Sequence, residues 1–113
     1  MDITIEALQA YLLDRYGGWA NEQGMFMKLV EELGEVAEVM NKRSGRKASG
    51  EEDLQEALGC ELADMIHYIV AIAALNQINL NAVMLRKDKK ASEKYHHSIN
   101  LEMFLSQRNR INT

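Results

Sequence analysis

Glu61-Leu62-Ala63-Asp64-Met65-Ile66-His67-Tyr68-Ile69-Val70-Ala71-Ile72-Ala73-Ala74-Leu75 is the stretch whose reading decides the fold. From Leu62 onward it is apolar nearly all round, with no glycine or proline to interrupt it. A helix that is apolar on every side is buried on every side. Glu61 and Asp64 stand three residues apart where this stretch begins, so a helix places them on one face. No lysine or arginine lies three or four residues from either of them. Burying an unpaired carboxylate costs several kcal/mol, so the pair calls for a cation that the local sequence does not supply.

Working outward, the helix that carries this stretch is expected from about Glu51 to Asn76, with Ser49 as its cap and Glu52 completing a capping box. A first helix is expected from about Thr4 to Tyr16, with Ile5, Leu8, Leu12 and Leu13 at helical spacing and Gly17-Gly18 as its stop. A second runs from about Met25 to Arg43, where Phe26, Leu29, Val30, Leu33, Val36, Ala37 and Met40 make an apolar stripe. Ser44 to Gly50 reads as a polar, basic loop. A fourth helix follows from about Asn81 to His96, and its charged half, Arg86-Lys87-Asp88-Lys89-Lys90, leaves the core. Leu101 to Leu105 forms a short amphipathic helix or a mobile tail. The chain has no proline and few β-branched runs, which leans to an all-α fold. The expectation is one domain over residues 1–113, an antiparallel bundle of about four helices. So short a chain cannot cover its third helix alone, so dimerisation or higher assembly is expected to complete the bundle.

Apolar content of 47% and charged content of 27% are ordinary for a soluble globular protein. A formal net charge of −4 argues against a nucleic-acid groove reader but not against binding one nucleotide. Cys60 is the only cysteine, which rules out an internal disulfide, suits a reducing compartment and reads as a core thiol without zinc spacing. The N-terminus shows no basic region followed by an apolar stretch, and the run Met65 to Leu75 is too short to span a bilayer. A cytoplasmic protein with no membrane partner is expected.

The second helix carries Glu31-Glu32-Leu33-Gly34-Glu35, in which Glu32 with Glu35, or Glu31 with Glu35, can converge. If the second and third helices pack antiparallel, both acidic pairs point into one gap. Facing carboxylates repel unless cations lie between them, and magnesium takes oxygen ligands while keeping several waters. Glu31, Glu38, Glu51, Glu52 and Glu56 also fit the plainer reading, a solvated helix surface.

Glu-Glu-x-x-Glu at residues 31–35, then Glu-x-x-Asp at residues 61–64, resembles the MazG-like family of all-α nucleoside triphosphate pyrophosphohydrolases. Lys28 to Val39, Glu61 to Ala73 and Ile78 to Lys87 agree with it, and the resemblance runs from about Met25 to Tyr95. It implies magnesium, with manganese as a substitute, held by Glu32, Glu35, Glu61 and Asp64. It also implies cleavage of a (d)NTP to a (d)NMP and pyrophosphate, as in nucleotide-pool house-cleaning. Glu35 or Glu31 would take the proton, while Lys87 and Tyr68 would lie near the phosphates and the nucleotide. Where relatives often carry an asparagine and then an arginine, this chain has Ala91 and Lys94, which puts the usual phosphate and sugar contacts in doubt. Trp19 either anchors its loop or stacks on a base, and Arg43, Arg46 and Lys47 are either solvated or close over phosphates. Lys28, one turn before Glu32, reads as its surface partner rather than as a ligand. The partners expected are a nucleoside triphosphate and further copies of the chain, as a homodimer or homotetramer.

Two other readings compete. A carboxylate di-iron bundle needs Glu-x-x-His units, for which Glu93 to His96 and the near match Asp64 to His67 are the available segments. A non-catalytic helical module that oligomerises or binds nucleotides is the other.

Overall fold

In the computed structural model, residues 1–18, 21–45 and 53–111 are described. They form five helices and no strand: α1 Ile5–Tyr16, α2 Glu22–Arg43, α3 Leu54–Leu75, α4 Leu80–Lys94 and α5 Leu101–Ile111. The all-α expectation holds, with one more full helix than the bundle of four, because the tail continues to Ile111.

Every helix starts on a short polar side chain that accepts from the exposed first-turn amides, the preferred chemistry at that position. Thr4 Oγ1 accepts from Ala7 N at 3.0 Å, Asn21 Oδ1 from Gly24 N at 2.9 Å, and Asn79 Oδ1 from Ala82 N at 3.0 Å. Asp53 Oδ1 caps α3 through Gln55 N and Glu56 N at 3.0 and 3.1 Å, and Asn100 Oδ1 caps α5 through Met103 N at 2.9 Å. The expected capping box of Ser49 and Glu52 lies outside the described residues. Helix α2 starts before Met25 because Asn21 caps it. Helices α3 and α4 both close with a left-handed residue, Gln77 at φ 56° and His96 at φ 58°. The next amides reach back to Ala73 O at 3.0 Å and Ser92 O at 2.9 Å, the six-to-one bond of a Schellman ending.

The chain groups into two compact units, Met1–Ile78 and Asn79–Thr113. In the first, α3 is the central element, with α1 and α2 packed on it. Asn76 Nδ2, past the end of α3, donates to Glu22 Oε1 at the start of α2 at 2.5 Å. Tyr16 at the end of α1 meets His67 near the middle of α3, and Gln9 near its start donates to the carbonyl of Ile78. Both partners therefore run antiparallel to α3. Leu12, Met25, Val36, Val39, Val70, Ala71, Ala73 and Ala74 are the buried apolar residues.

Three expectations about burial are corrected. On α2 the inward stripe is Met25, Val36 and Val39, while Phe26, Val30, Leu33 and Met40 are exposed. The helix has two apolar stripes, and one partner helix covers only one of them. On α3, Leu62, Ile66 and Ile69 remain 44%, 51% and 41% exposed, so a single chain does not bury that helix on every side. On α1, Leu13 is exposed and Leu12 alone is fully buried. The full α3 is also long and apolar enough to cross a bilayer by length and composition, unlike the run from Met65 taken alone. It packs against α1 and α2 and carries Glu56, Glu61 and Asp64.

In the second unit α5 packs on α4, and Asp88 Oδ2 accepts from Leu101 N at 2.6 Å. Ser92 is the buried residue of α4.

Candidate metal centre

Glu32 falls four residues before Val36 and seven before Val39, so it shares the inward stripe of α2 and is half-buried against α3. Antiparallel packing brings it to Glu61 and Asp64. One carboxylate oxygen from each of Glu32, Glu61 and Asp64 lies within 4.8 Å of the others. Oε2 of Glu32 and Oε2 of Glu61 are both shielded from solvent and accept no hydrogen bond. Buried polar atoms normally have partners. Two orphaned anionic oxygens facing a third carboxylate form a site suited to a hard cation, which takes several oxygen ligands at short distance. The residues present fit such an ion.

The electrostatics agree. Glu35 is exposed but sits against the group, and its carboxyl is held above the ordinary glutamate value. The hydrogen bond and charge of Glu61 are the main causes, followed by desolvation and Asp64, against a lowering contact from Glu32. For Glu61 the hydrogen bond from Glu35 pulls downward, but Glu32, desolvation and Asp64 outweigh it, so this carboxyl is also raised. Each shift reports carboxylates crowded together and partly desolvated.

The expected residues do not all arrive together. Glu32, Glu35, Glu61 and Asp64 converge, although Asp64 is exposed rather than enclosed by apolar side chains. Glu31 points into an exposed ion pair with Lys28 Nζ at 3.5 Å, so Lys28 does form a surface pair, but with Glu31 rather than with Glu32. Tyr68 is half-buried one turn beyond Asp64, its ring edge-on to His67 at 5.1 Å. Lys87 and Lys94 are exposed on α4 in the second unit, and Lys94 Nζ lies 5.4 Å from the centre of the Tyr95 ring. Trp19, Arg46 and Lys47 lie outside the described residues. Cys60 is exposed rather than a core thiol, and its Sγ meets Glu56 Oε1 at 3.7 Å. Local desolvation and then Glu56 push its thiol up, which makes it a poor nucleophile.

The Tyr16–His67 pair, at 2.9 Å, was not legible in the sequence, since 51 residues separate its members. It engages Nε2 of His67, one of the two ring nitrogens of that side chain. His96 lies beyond the end of α4 in a left-handed conformation, so Glu93 and His96 do not share a helical face. Comparison with curated proteins and with solved structures returns no match. Residues 20–99, most of the chain, match the model of the MazG nucleotide pyrophosphohydrolase domain, and the chain belongs to that family.

Proposed function

We propose that this protein is a magnesium-dependent nucleoside triphosphate pyrophosphohydrolase that converts a (d)NTP to a (d)NMP and pyrophosphate, with manganese as a substitute ion. The observation that carries the reading is the pair of orphaned oxygens on Glu32 and Glu61 beside Asp64. Glu32, Glu61 and Asp64 would hold the metal, with Glu35 at its edge. When bound, magnesium would neutralise the polyphosphate and make water a better nucleophile.

The chain's own groups would do the rest. Glu35 is exposed and lies against the cluster, where its carboxylate can reach a water beside the metal ligands. It would take the proton of the attacking water as the new oxygen–phosphorus bond forms at the α-phosphate. The bond to the bridging oxygen breaks, and pyrophosphate leaves with that electron pair. Glu31 is the weaker choice because Lys28 already engages it. Tyr68 would flank the nucleoside, and Lys87 and Lys94 would meet phosphate charge.

The exposed stripe Phe26, Val30, Leu33 and Met40, together with Leu62, Ile66 and Ile69 on α3, supports a homodimer or homotetramer. A free nucleotide rather than a nucleic-acid polymer is the substrate, and a cytoplasmic, membrane-free setting fits it.

Pyrophosphate release from a panel of common, deoxy and oxidised triphosphates, with and without magnesium, tests the proposal. Turnover is expected only with the metal. Glu35→Gln is expected to lower it by about a hundredfold or more, and Asp64→Asn to lower it through weaker metal binding. No release from any substrate would refute the enzymatic reading in favour of a non-catalytic module, and full activity in both variants would refute the roles given to Glu35 and Asp64.

A further inference from the structure

We propose that the groove between α4 and the outer face of α5 is a binding site for a small organic oxyanion that also carries a hydroxyl or amino group. The site shares no residue with the metal centre and does not rest on the pyrophosphohydrolase reading. The groove has a volume of about 420 Å³, within the range of small-molecule sites. Lys89 lines it from α4, and Asn100, Glu102, Ser106, Gln107 and Arg110 line it from the cap and face of α5. It lies wholly within the unit Asn79–Thr113. The family match ends at residue 99, so every lining residue except Lys89 falls outside the matched domain.

Local contacts hold these walls in place. Asp88 Oδ2 accepts from Leu101 N at 2.6 Å, which ties the start of α5 to α4 and sets Lys89, the next residue, beside it. Asn100 Oδ1 accepts from Met103 N at 2.9 Å, so the Asn100 side chain is fixed at the same end. Along α5, Glu102, Ser106 and Arg110 follow at i, i+4 and i+8, a line about 12 Å long. Met103 and Gln107 flank that line, and Met103, half exposed, gives the groove its apolar contact.

The charges are spaced so that α5 cannot neutralise them by itself. Ion pairs along a helix form at three or four residues, but Ser106 stands four residues after Glu102, and Arg110 stands beyond that reach. Among the described residues no cation lies within ion-pair distance of Glu102, and no carboxylate within that distance of Lys89. Lys89 and Arg110 set two cations against the one carboxylate of Glu102, an excess of positive charge that an oxyanion offsets. The guanidinium fork of Arg110 matches the paired oxygens of a carboxylate or a phosphate. Ionised Glu102 only accepts hydrogen bonds, so it calls for a donor on the same ligand, a hydroxyl or an ammonium. Asn100, Ser106 and Gln107 supply donors and acceptors between the charged ends. An inorganic anion would leave Glu102 facing like charge, which selects an organic anion of mixed polarity.

Calorimetry and amide NMR shifts on the full chain, in EDTA so that the metal centre does not contribute, test the site. The probes are ribose 5-phosphate, L-glutamate, inorganic phosphate and neutral ribose. At least one of the two organic anions is expected to bind with a Kd of about 1 mM or tighter, with shifts concentrated at Lys89 and residues 100–110, while ribose does not bind. Binding of ribose 5-phosphate alone assigns a phosphate ester, of glutamate alone an amino acid, and of both the shared oxyanion chemistry. Lys89→Gln/Arg110→Gln is expected to weaken that binding by about tenfold or more. Lys90→Gln/Arg108→Gln removes the same charge from positions that do not line the groove, and is expected to stay within about twofold; circular dichroism confirms that both variants are helical. Glu102→Gln is expected to weaken the organic anion by about threefold or more while leaving inorganic phosphate unweakened. No binding by either organic anion, equal losses in the two double variants, shifts confined to residues 1–78, or tighter binding of the organic anion by Glu102→Gln would overturn the proposal.

Discussion

Replacing Glu61 with glutamine keeps the shape of the side chain and removes one of three carboxylates whose oxygens lie within 4.8 Å of one another. Without metal, the substitution relieves the crowding that holds Glu35 and Glu61 above their ordinary values. The metal-free variant is therefore expected to melt at or above the temperature of the unaltered protein. With metal, the order reverses. An ion that binds only the folded state at about a hundred times its dissociation constant stabilises by about 2.7 kcal/mol. For a chain of this length that corresponds to a rise of roughly 10 °C in Tm. Glu61→Gln gives up a charged ligand and fills the orphaned Oε2 position with a neutral amide end, so most of this rise is expected to disappear. Differential scanning fluorimetry at fixed protein concentration, in EDTA and then in a magnesium series, reads both halves of the crossing. A magnesium response as large in Glu61→Gln as in the unaltered protein would refute the assigned ligand set. So would a variant that loses stability in EDTA while its magnesium response is intact.

Three further outcomes follow from the structure. The folded values of Glu35 and Glu61 are raised, so their contribution to stability is fully present below the unfolded glutamate value and is lost as pH rises through the folded one. In EDTA the protein should gain stability from these groups as pH falls through that window, while magnesium affinity declines over it. Melting curves at several pH values, compared with Glu61→Gln, measure the difference, and identical pH dependence in the two proteins would count against it. Leu12 is fully buried between α1 and its neighbours, and Leu12→Ala is expected to cost about 2–5 kcal/mol in urea unfolding. Gln77 closes α3 at φ 56°, a conformation that glycine adopts freely, so Gln77→Gly is expected to stabilise by about 0.5–1 kcal/mol. A loss on that substitution would mean that the side chain of Gln77 makes a contact outweighing its backbone strain.

The helical class, the order of the helices and the acidic quartet were all legible in the sequence. These features are local: a cap such as Thr4 or Asn79 binds an amide three residues away, and the Glu61–Asp64 spacing places both on one face of a single helix. The family motif added that the two acidic halves belong together. It could not say which members are enclosed, and the expectation that Asp64 lies among apolar side chains proved incorrect, while Glu32 shares the buried stripe.

Tertiary structure decided what depends on a partner. By periodicity alone, Phe26, Val30, Leu33 and Met40 are as good a packing face as Met25, Val36 and Val39, and only the position of α3 chooses the second set. The Tyr16–His67 bond joins residues 51 apart, beyond the reach of any local pattern. The orphaned oxygens of Glu32 and Glu61 arise because two helices close over groups that each helix alone would leave in water. Short-range hydrogen bonds and helical period are written within a few residues of chain, whereas burial and charge crowding exist only once distant segments meet.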